Sequence, residues 1–155
     1  MREKPLDRSH KAGSEFGMIM RCHESQLALC DELEAVADSL PSRVDRQRCL
    51  HLARAVCPIV SSSHDAEERL LFATLERLPN RSADLDRTLD RLRYEHFEDV
   101  CFAEELHDAL LALGRGEERV SAEAVGYMLR GFFESVRRHV AFERELLLPL
   151  LKVGS

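Results

Sequence analysis

Residues 64–75 read HDAEERLLFATL, and they place an imidazole and a carboxylate in line with apolar residues. His64 and Glu68 are one helical turn apart, and Leu71 and Leu75 continue the same face. Apolar residues at spacings of three and four indicate an amphipathic helix whose stripe faces a core. Because histidine and glutamate are costly to bury without partners, the stretch predicts a helical protein that holds a polar site inside.

Three short segments rich in breaker residues divide the chain into four helical patterns. These segments are residues 40–42, 79–82 and 114–116. The four patterns cover about residues 14–39, 43–78, 83–114 and 121–151. We expect Ser82 and Ser121 to cap the third and fourth helices, and Pro58 to kink the second.

Each pattern carries an apolar stripe, and the short connections make consecutive helices antiparallel. Only seven glycines and five prolines occur in 155 residues, which is typical of a helical protein. The sequence therefore predicts an all-α, up-down-up-down antiparallel four-helix bundle over residues 14–151. Residues 1–13 carry charge without an apolar run, and we expect them to form a mobile N-terminal arm.

The composition argues against several classes of protein. The formal net charge is -6, and the arginines are interleaved with acids. A basic patch for phosphates or for a membrane surface is therefore missing, and we expect neither a nucleic-acid nor a membrane partner. The five cysteines form no Cys-x-x-Cys pair, and the sequence shows no export signal. Reduced thiols and a cytoplasmic location are the simplest expectation.

The fourth helical pattern repeats the stretch quoted above. Residues 139–150 read HVAFERELLLPL and agree with residues 64–75 at six of twelve positions. His139 and Glu143 thus form a second His-x-x-x-Glu pair. Residues four apart share one helical face, so such a pair can offer a nitrogen and an oxygen to one metal ion. For either pair taken alone, a solvent-exposed hydrogen-bonded pair is the alternative.

Counting residues from the turns places one histidine of each helix at a similar level. His64 and His96 lie 15 and 14 residues from the turn between their helices, and His96 and His139 each lie 18 residues from the next turn. His23 and His64 lie 18 and 22 residues from the first turn, a mismatch of about one helical turn. Buried carboxylates without Lys or Arg beside them are costly unless they are protonated or bound to cations. The polar layer therefore predicts a dinuclear site for iron, manganese or zinc.

A single histidine on the first and third helices, with His-x-x-x-Glu on the second and fourth, resembles the hemerythrin-like HHE cation-binding domain. The resemblance covers about residues 14–151, and the segments LLFATL and LLLPLL after the two pairs are similar to the family's segments. It implies a hemerythrin-like bundle with two iron ions and an oxo or hydroxo bridge, zinc or manganese being alternative ions. The implied ligands, with both glutamates bridging, are His23, His64, Glu68, His96, His139 and Glu143.

Two details refine the resemblance. Glu67 is a rival to Glu68, since a residue three positions after a histidine can also be a ligand on a helix. Glu68 is preferred because Glu143 matches its spacing, whereas Phe142 holds the third position in the other pair. The oxygen-carrying hemerythrins have a second third-helix histidine where this chain has Val100, and a fourth-helix Asp five residues after the histidine. The pattern is therefore more similar to the di-iron subgroup that includes iron–sulfur repair proteins.

The resemblance implies a non-haem di-iron protein that binds or senses dioxygen, nitric oxide or peroxide. Its ligand would be a small diatomic molecule or peroxide, and a sensor of this kind would signal through a partner protein. A redox enzyme, or an iron donor for iron–sulfur repair, is the first alternative. Further alternatives are a bundle with a purely structural metal and a partner-binding bundle without metal. A binding or sensing role is expected ahead of catalysis, no catalytic residue is assigned, and a homodimer is compatible with the pattern.

Overall fold

The computed structural model describes residues 8–153, with side chains from residue 13 to residue 152. Within that range the regular structure is entirely helical and forms four bundle helices. The bundle helices are, in order, α1 (Arg8–Ser39); α2 (Arg46–Ala66) with a first π segment (Glu67–Phe72) and α3 (Ala73–Glu76); α4 (Ala83–Arg115); and α5 (Ala122–Phe142) with a second π segment (Glu143–Leu147) and α6 (Leu148–Val153). The arm predicted over residues 1–13 lies largely outside the described residues.

Each bundle helix packs against two neighbours. Helix α1 contacts α2 and α5, and α4 contacts the same two helices. Residues 40–45, 77–82 and 116–121 connect the bundle helices. Such short connections cannot carry the chain back along a long helix, so consecutive helices run antiparallel. The structure confirms the predicted all-α, up-down-up-down four-helix bundle.

The helix boundaries follow from local chemistry. Ser82 and Ser121 are N-caps, as predicted, and each accepts a hydrogen bond from the backbone N–H three residues further on. Asp45 caps α2 in the same way. Helix α4 ends at Gly116, whose φ of 72° lies in the left-handed region that glycine adopts without strain. Helix α2 continues through Pro58, and the winding changes only after Ala66.

The second and fourth bundle helices widen at equivalent places. Their π segments begin at Glu67 and Glu143, a few residues after a histidine in each case. The backbone hydrogen bonds there join residues five apart, so residues at that spacing come into line on one face. Glu67 and Phe72 are accordingly both buried, as are Glu143 and Leu148. The repeat between residues 64–75 and 139–150 is thus also a repeat in backbone structure.

The interior has three layers along the bundle. The large core contains Leu33, Leu52, Leu106 and Phe132 together with the other buried apolar residues at the end of the bundle that holds the first and third connections. The small core, at the other end, comprises Ile19, Leu71, Phe72, Leu75, Leu89, Leu92, Leu147 and Leu148. Buried histidines and glutamates separate the two cores along every bundle helix. None of the helices within residues 8–153 has the length and apolar content that a membrane crossing requires.

Candidate metal centre

Six buried polar side chains from all four bundle helices meet in the layer between the two cores. They are His23, His64, Glu67, His96, His139 and Glu143. Their ligand atoms form two groups, one of His64, Glu67, His96 and His139 and one of His23, Glu67 and Glu143. Within each group all the ligand atoms lie within 4.8 Å of one another. Glu67 belongs to both groups, so the two groups adjoin.

The first group contains a close triangle of donor atoms. Nε2 of His96 lies 3.0 Å from Nε2 of His139 and 3.0 Å from Oε2 of Glu67. The third side, from Nε2 of His139 to Oε2 of Glu67, is 3.2 Å. Two donor atoms that bind one zinc-sized ion at about 2.1 Å are separated by about 3.0–3.4 Å. The triangle therefore has the dimensions of one face of a metal coordination shell.

Both glutamates turn one oxygen toward each group. Glu143 places Oε2 2.7 Å from Nε2 of His23 and Oε1 3.0 Å from Nε2 of His139. Glu67 contributes Oε2 to the triangle, and its Oε1 lies 3.8 Å from Nε2 of His23. Nε of Arg144 donates to Nδ1 of His23 at 3.3 Å, which leaves Nε2 of that ring facing Glu143. Carboxylates placed in this way can bridge two neighbouring cations.

Glu68, which the sequence prediction included among the ligands, lies at the edge of the cluster. Its side chain is 39% exposed, whereas Glu67 is 0% exposed. Oε1 of Glu68 accepts a hydrogen bond from Nδ1 of His96 at 2.7 Å. The structure thus brings five of the six predicted residues together and places Glu67 where Glu68 was expected. The physical reason is the first π segment, whose wider turn lines Glu67 up with Phe72 and leaves Glu68 beside that face.

Residues 15–151 match the family model described as the Hemerythrin HHE cation binding domain. The chain belongs to the hemerythrin HHE cation-binding family. The matched residues include all six members of the buried cluster. No curated protein and no solved structure matches the chain. The HHE domain therefore has a His/Glu cluster able to hold a metal ion, in a family defined by cation binding.

Burial and hydrogen bonding set the charges in the HHE cluster. Burial, together with the nearby His96, lowers the pKa of His64 to about 3, so this imidazole is neutral at neutral pH. Burial acts to lower the pKa of His139, but hydrogen bonds to Glu143 and Glu67 raise it to about 10. Burial acts to raise the pKa of Glu67, but hydrogen bonds from His139 and His96 outweigh that effect and hold the pKa well below its usual range. Positive charge is thus stabilised between the two carboxylates.

The donor set fits a metal cation. Neither ring nitrogen of His64 has a hydrogen-bond partner within residues 13–152, and the same holds for Nδ1 of His139. Buried polar atoms without partners are costly, and each one calls for an explanation. Imidazole nitrogen and carboxylate oxygen are both ligand types for iron, manganese and zinc. A cation held here would satisfy donor atoms that the protein leaves unpaired.

Two further polar residues lie beside the cluster and were missed in the sequence. Burial raises the pKa of Asp99 to about 6, and its Oδ2 lies 3.7 Å from Nε2 of His64. Gln26 is buried, and its Nε2 donates to Oε1 of Glu67 at 2.7 Å. Each of the two lies three residues after a cluster histidine, on the face that points inward. That spacing is the signal that could have identified them.

A cleft between α4 and α5 reaches the edge of the cluster. Its volume is about 370 Å³, and its wall includes His139, Asp99, Arg91 and Arg138. Small solutes can therefore approach the cluster from this side of the bundle. The rings of His64 and Phe72 stack on His96 at centroid distances of 3.9 and 5.3 Å. Such packing leaves little room for a bulky substrate at the cluster itself.

Proposed function

We propose that this HHE domain is a non-haem di-iron protein that binds or senses dioxygen, nitric oxide or peroxide. The observation that carries the proposal is the pair of glutamates that divide their oxygens between two adjoining donor groups. Such an arrangement suits two neighbouring ions better than a single one. The proposed ligands are His23, His64, Glu67, His96, His139 and Glu143, with Glu67 in the place that the sequence assigned to Glu68.

The donor chemistry supports iron as the metal, with manganese and zinc as the alternatives. Iron would supply reversible ligand binding or electron transfer when bound. The chain supplies neutral imidazole from His64 and two carboxylates that stay buried beside the ions. His139 binds a metal in its neutral form, so uptake of an ion through its Nε2 has to displace the proton that its raised pKa favours.

The surroundings of the cluster support a small ligand. With both glutamates bridging, the ion beside His64, His96 and His139 would have three nitrogens and two oxygens, and the ion beside His23 would have one nitrogen and two oxygens. A solvent-derived bridge would raise these counts to six and four, so the open positions, among the six that iron commonly takes, would lie at the ion beside His23. Stacked rings crowd the cluster, and the cleft beside His139 gives a route for a diatomic molecule or a peroxide.

The test is elemental analysis of anaerobically purified protein, followed by optical spectra before and after addition of dioxygen or nitric oxide. We expect two metal ions per chain and a change in the charge-transfer bands with at least one gas. Azide should bind to the oxidised form. One ion or none per chain would contradict the dinuclear centre. Two ions with no spectral response to either gas or to azide would leave a purely structural metal as the function.

A further inference from the structure

Gln26 belongs to the centre although it is not one of the proposed ligands. It lies on α1, three residues after His23, and its side chain is almost fully buried, with the residue only 1% exposed. Nε2 of its carboxamide donates to Oε1 of Glu67 at 2.7 Å. Glu67 is the carboxylate that both donor groups share. Gln26 therefore contacts the residue on which the geometry of the whole centre depends.

This hydrogen bond fixes how the carboxylate of Glu67 is turned. Oε1 is held by Gln26 and faces His23, while Oε2 lies within 3.2 Å of the ring nitrogens of His96 and His139. If Gln26 did not donate, the carboxylate could rotate and take both oxygens toward one group. The amide thus keeps one oxygen of Glu67 available to each group.

The same hydrogen bond determines which amide atom of Gln26 is left without a hydrogen-bond partner. A carboxylate oxygen only accepts, so the nitrogen of the amide must face Glu67 and the oxygen must face elsewhere. That oxygen, Oε1 of Gln26, is buried and has no hydrogen-bond partner among residues 13–152. A buried acceptor without a donor beside a reactive centre calls for a donor from outside the chain.

We propose that Gln26 positions Glu67 with its N–H and selects ligands with its oxygen, which accepts a hydrogen bond from an O–H or N–H of a small molecule held at the centre. This inference rests on the proposed metal-binding function. It favours peroxide, which carries O–H groups, over dioxygen and nitric oxide, which carry no hydrogen. Water or hydroxide at the centre would be held in the same way.

The ligand test uses cobalt(II)-loaded protein, because cobalt bands in the visible spectrum report bound ligands without electron transfer. Dissociation constants are measured for hydroxylamine, which offers O–H and N–H donors, and for azide, which offers none. The variants are Gln26→Met, which keeps length but removes the amide, and Gln26→Asn, which keeps the amide on a shorter side chain. Gln47→Met, on the exposed surface of α2, is the matched control.

We expect Gln26→Met to weaken hydroxylamine binding by about threefold to tenfold, the effect of one lost hydrogen bond, with azide binding changed less than twofold. Gln47→Met should leave both constants unchanged. Equal weakening of both ligands would show that Gln26 acts only through Glu67 and would overturn the selection. If Gln26→Met does not fold, the dissociation constants of hydroxylamine and azide are compared between Gln26→Asn and wild-type protein. Weakening of hydroxylamine binding alone would support the selection, and equal weakening of both ligands would overturn it.

A metal-independent measurement separates this inference from the proposed function. In chelated protein, exchange of the Gln26 side-chain amide is followed by NMR, with the exposed Gln47 amide in the same spectrum as reference. We expect at least 100-fold slower exchange for Gln26. Slow exchange together with no cobalt uptake would refute the metal centre but uphold the contact with Glu67. Fast exchange in a protein that does bind cobalt would refute the role of Gln26 alone.

Discussion

Two adjacent carboxylates, Glu67 and Glu68, lie in different environments although one peptide bond separates them. Glu67 is enclosed and contacts His96 and His139 through one oxygen. Glu68 approaches His96 from the edge of the bundle and accepts from the ring nitrogen that faces away from Glu67. A carboxylate in that position fixes the tautomer and orientation of a metal-binding imidazole. At the residue scale, Glu67 fits a ligand and Glu68 fits a residue that orients one.

Substitution of each glutamate separates these two roles. Glu67→Gln should lose at least one of two metal ions per chain, because the shared carboxylate is gone. Glu68→Gln should keep both ions and weaken affinity by about 10–100-fold, the usual cost of losing such an orienting partner. Elemental analysis and a chelator competition measure the two effects. Full stoichiometry in Glu67→Gln, with ions lost in Glu68→Gln, would reverse the assignment.

The raised pKa of His139 predicts a pH dependence of stability in chelated protein. The folded pKa is about 10 against an unfolded value of about 6.5. The stabilisation is therefore complete below pH 6.5 and is lost as pH rises toward 10. Between pH 6.5 and 8.5 we expect a loss of about 2 kcal/mol, or roughly 4–8 °C in Tm.

The pH window isolates His139 from the other shifted groups. His64 and Asp99 have pKa values of about 3 and 6, so they complete their titration at lower pH. Buried thiols such as Cys30 have raised pKa values, so the stability linked to them falls only as the unfolded thiols ionise around their ordinary value of 9.0, mainly above the window. Chelated His139→Gln protein should show a flat Tm across the window. A decline of the same size in that variant would assign the effect to another group.

At the scale of elements, the sequence predicted the four helices well because periodicity and capping are local properties. Ser82 and Ser121 begin their helices as expected, since an N-cap depends on only a few neighbouring residues. The same local reasoning did not identify which of Glu67 and Glu68 is buried in the cluster. Helical spacing assumes uniform α winding, and the π segment that changes the phase after His64 has no simple signature in the sequence. Gln26 and Asp99 were missed because a polar residue three positions after a histidine is equally compatible with an exposed position on the helix.

Shortening the first π segment tests its role. Arg69 lies in that segment and is exposed, so deleting it removes one residue without removing a core side chain. We expect α winding to replace the π segment, with helicity by circular dichroism nearly unchanged. Phe72 would then follow Glu67 by four residues and stay on the same face under α winding. The narrower turn should instead draw the Glu67 carboxylate away from the other donors, so metal stoichiometry should fall below two per chain.

The control for the deletion keeps the length of the segment. Arg69→Ala retains every residue from Glu67 to Phe72 and removes only an exposed side chain. Its metal content should equal that of wild-type protein, and its Tm should change by about 1–2 °C at most. A deletion variant that still binds two ions would show that the wider turn is dispensable for the centre.

At the scale of the whole molecule, four bundle helices converge on one polar layer, so an ion held there joins all four. Binding only to the folded state stabilises it by about 4 kcal/mol when free metal is 1,000 times the dissociation constant. For a domain of this size that corresponds to roughly 8–16 °C in Tm. Calorimetry of loaded and chelated protein measures the difference. Glu67→Gln should show a smaller gain, and equal Tm values for loaded and chelated wild-type protein would exclude the buried site.

The polar layer also breaks the continuity of apolar contact between the large core and the small core. Each end of the bundle then buries its own apolar surface. The small core has far fewer buried apolar side chains than the large core, so less apolar burial stabilises that end of the bundle. Without a cation, the small-core end is expected to open as a separate cooperative unit, at a lower free energy than the remainder. With a cation, opening that end requires release of the ion. The metal affinity of the centre and the opening free energy of the small-core end are therefore thermodynamically linked. By reciprocity, any contact that stabilises the closed form of that end raises the affinity for the ion.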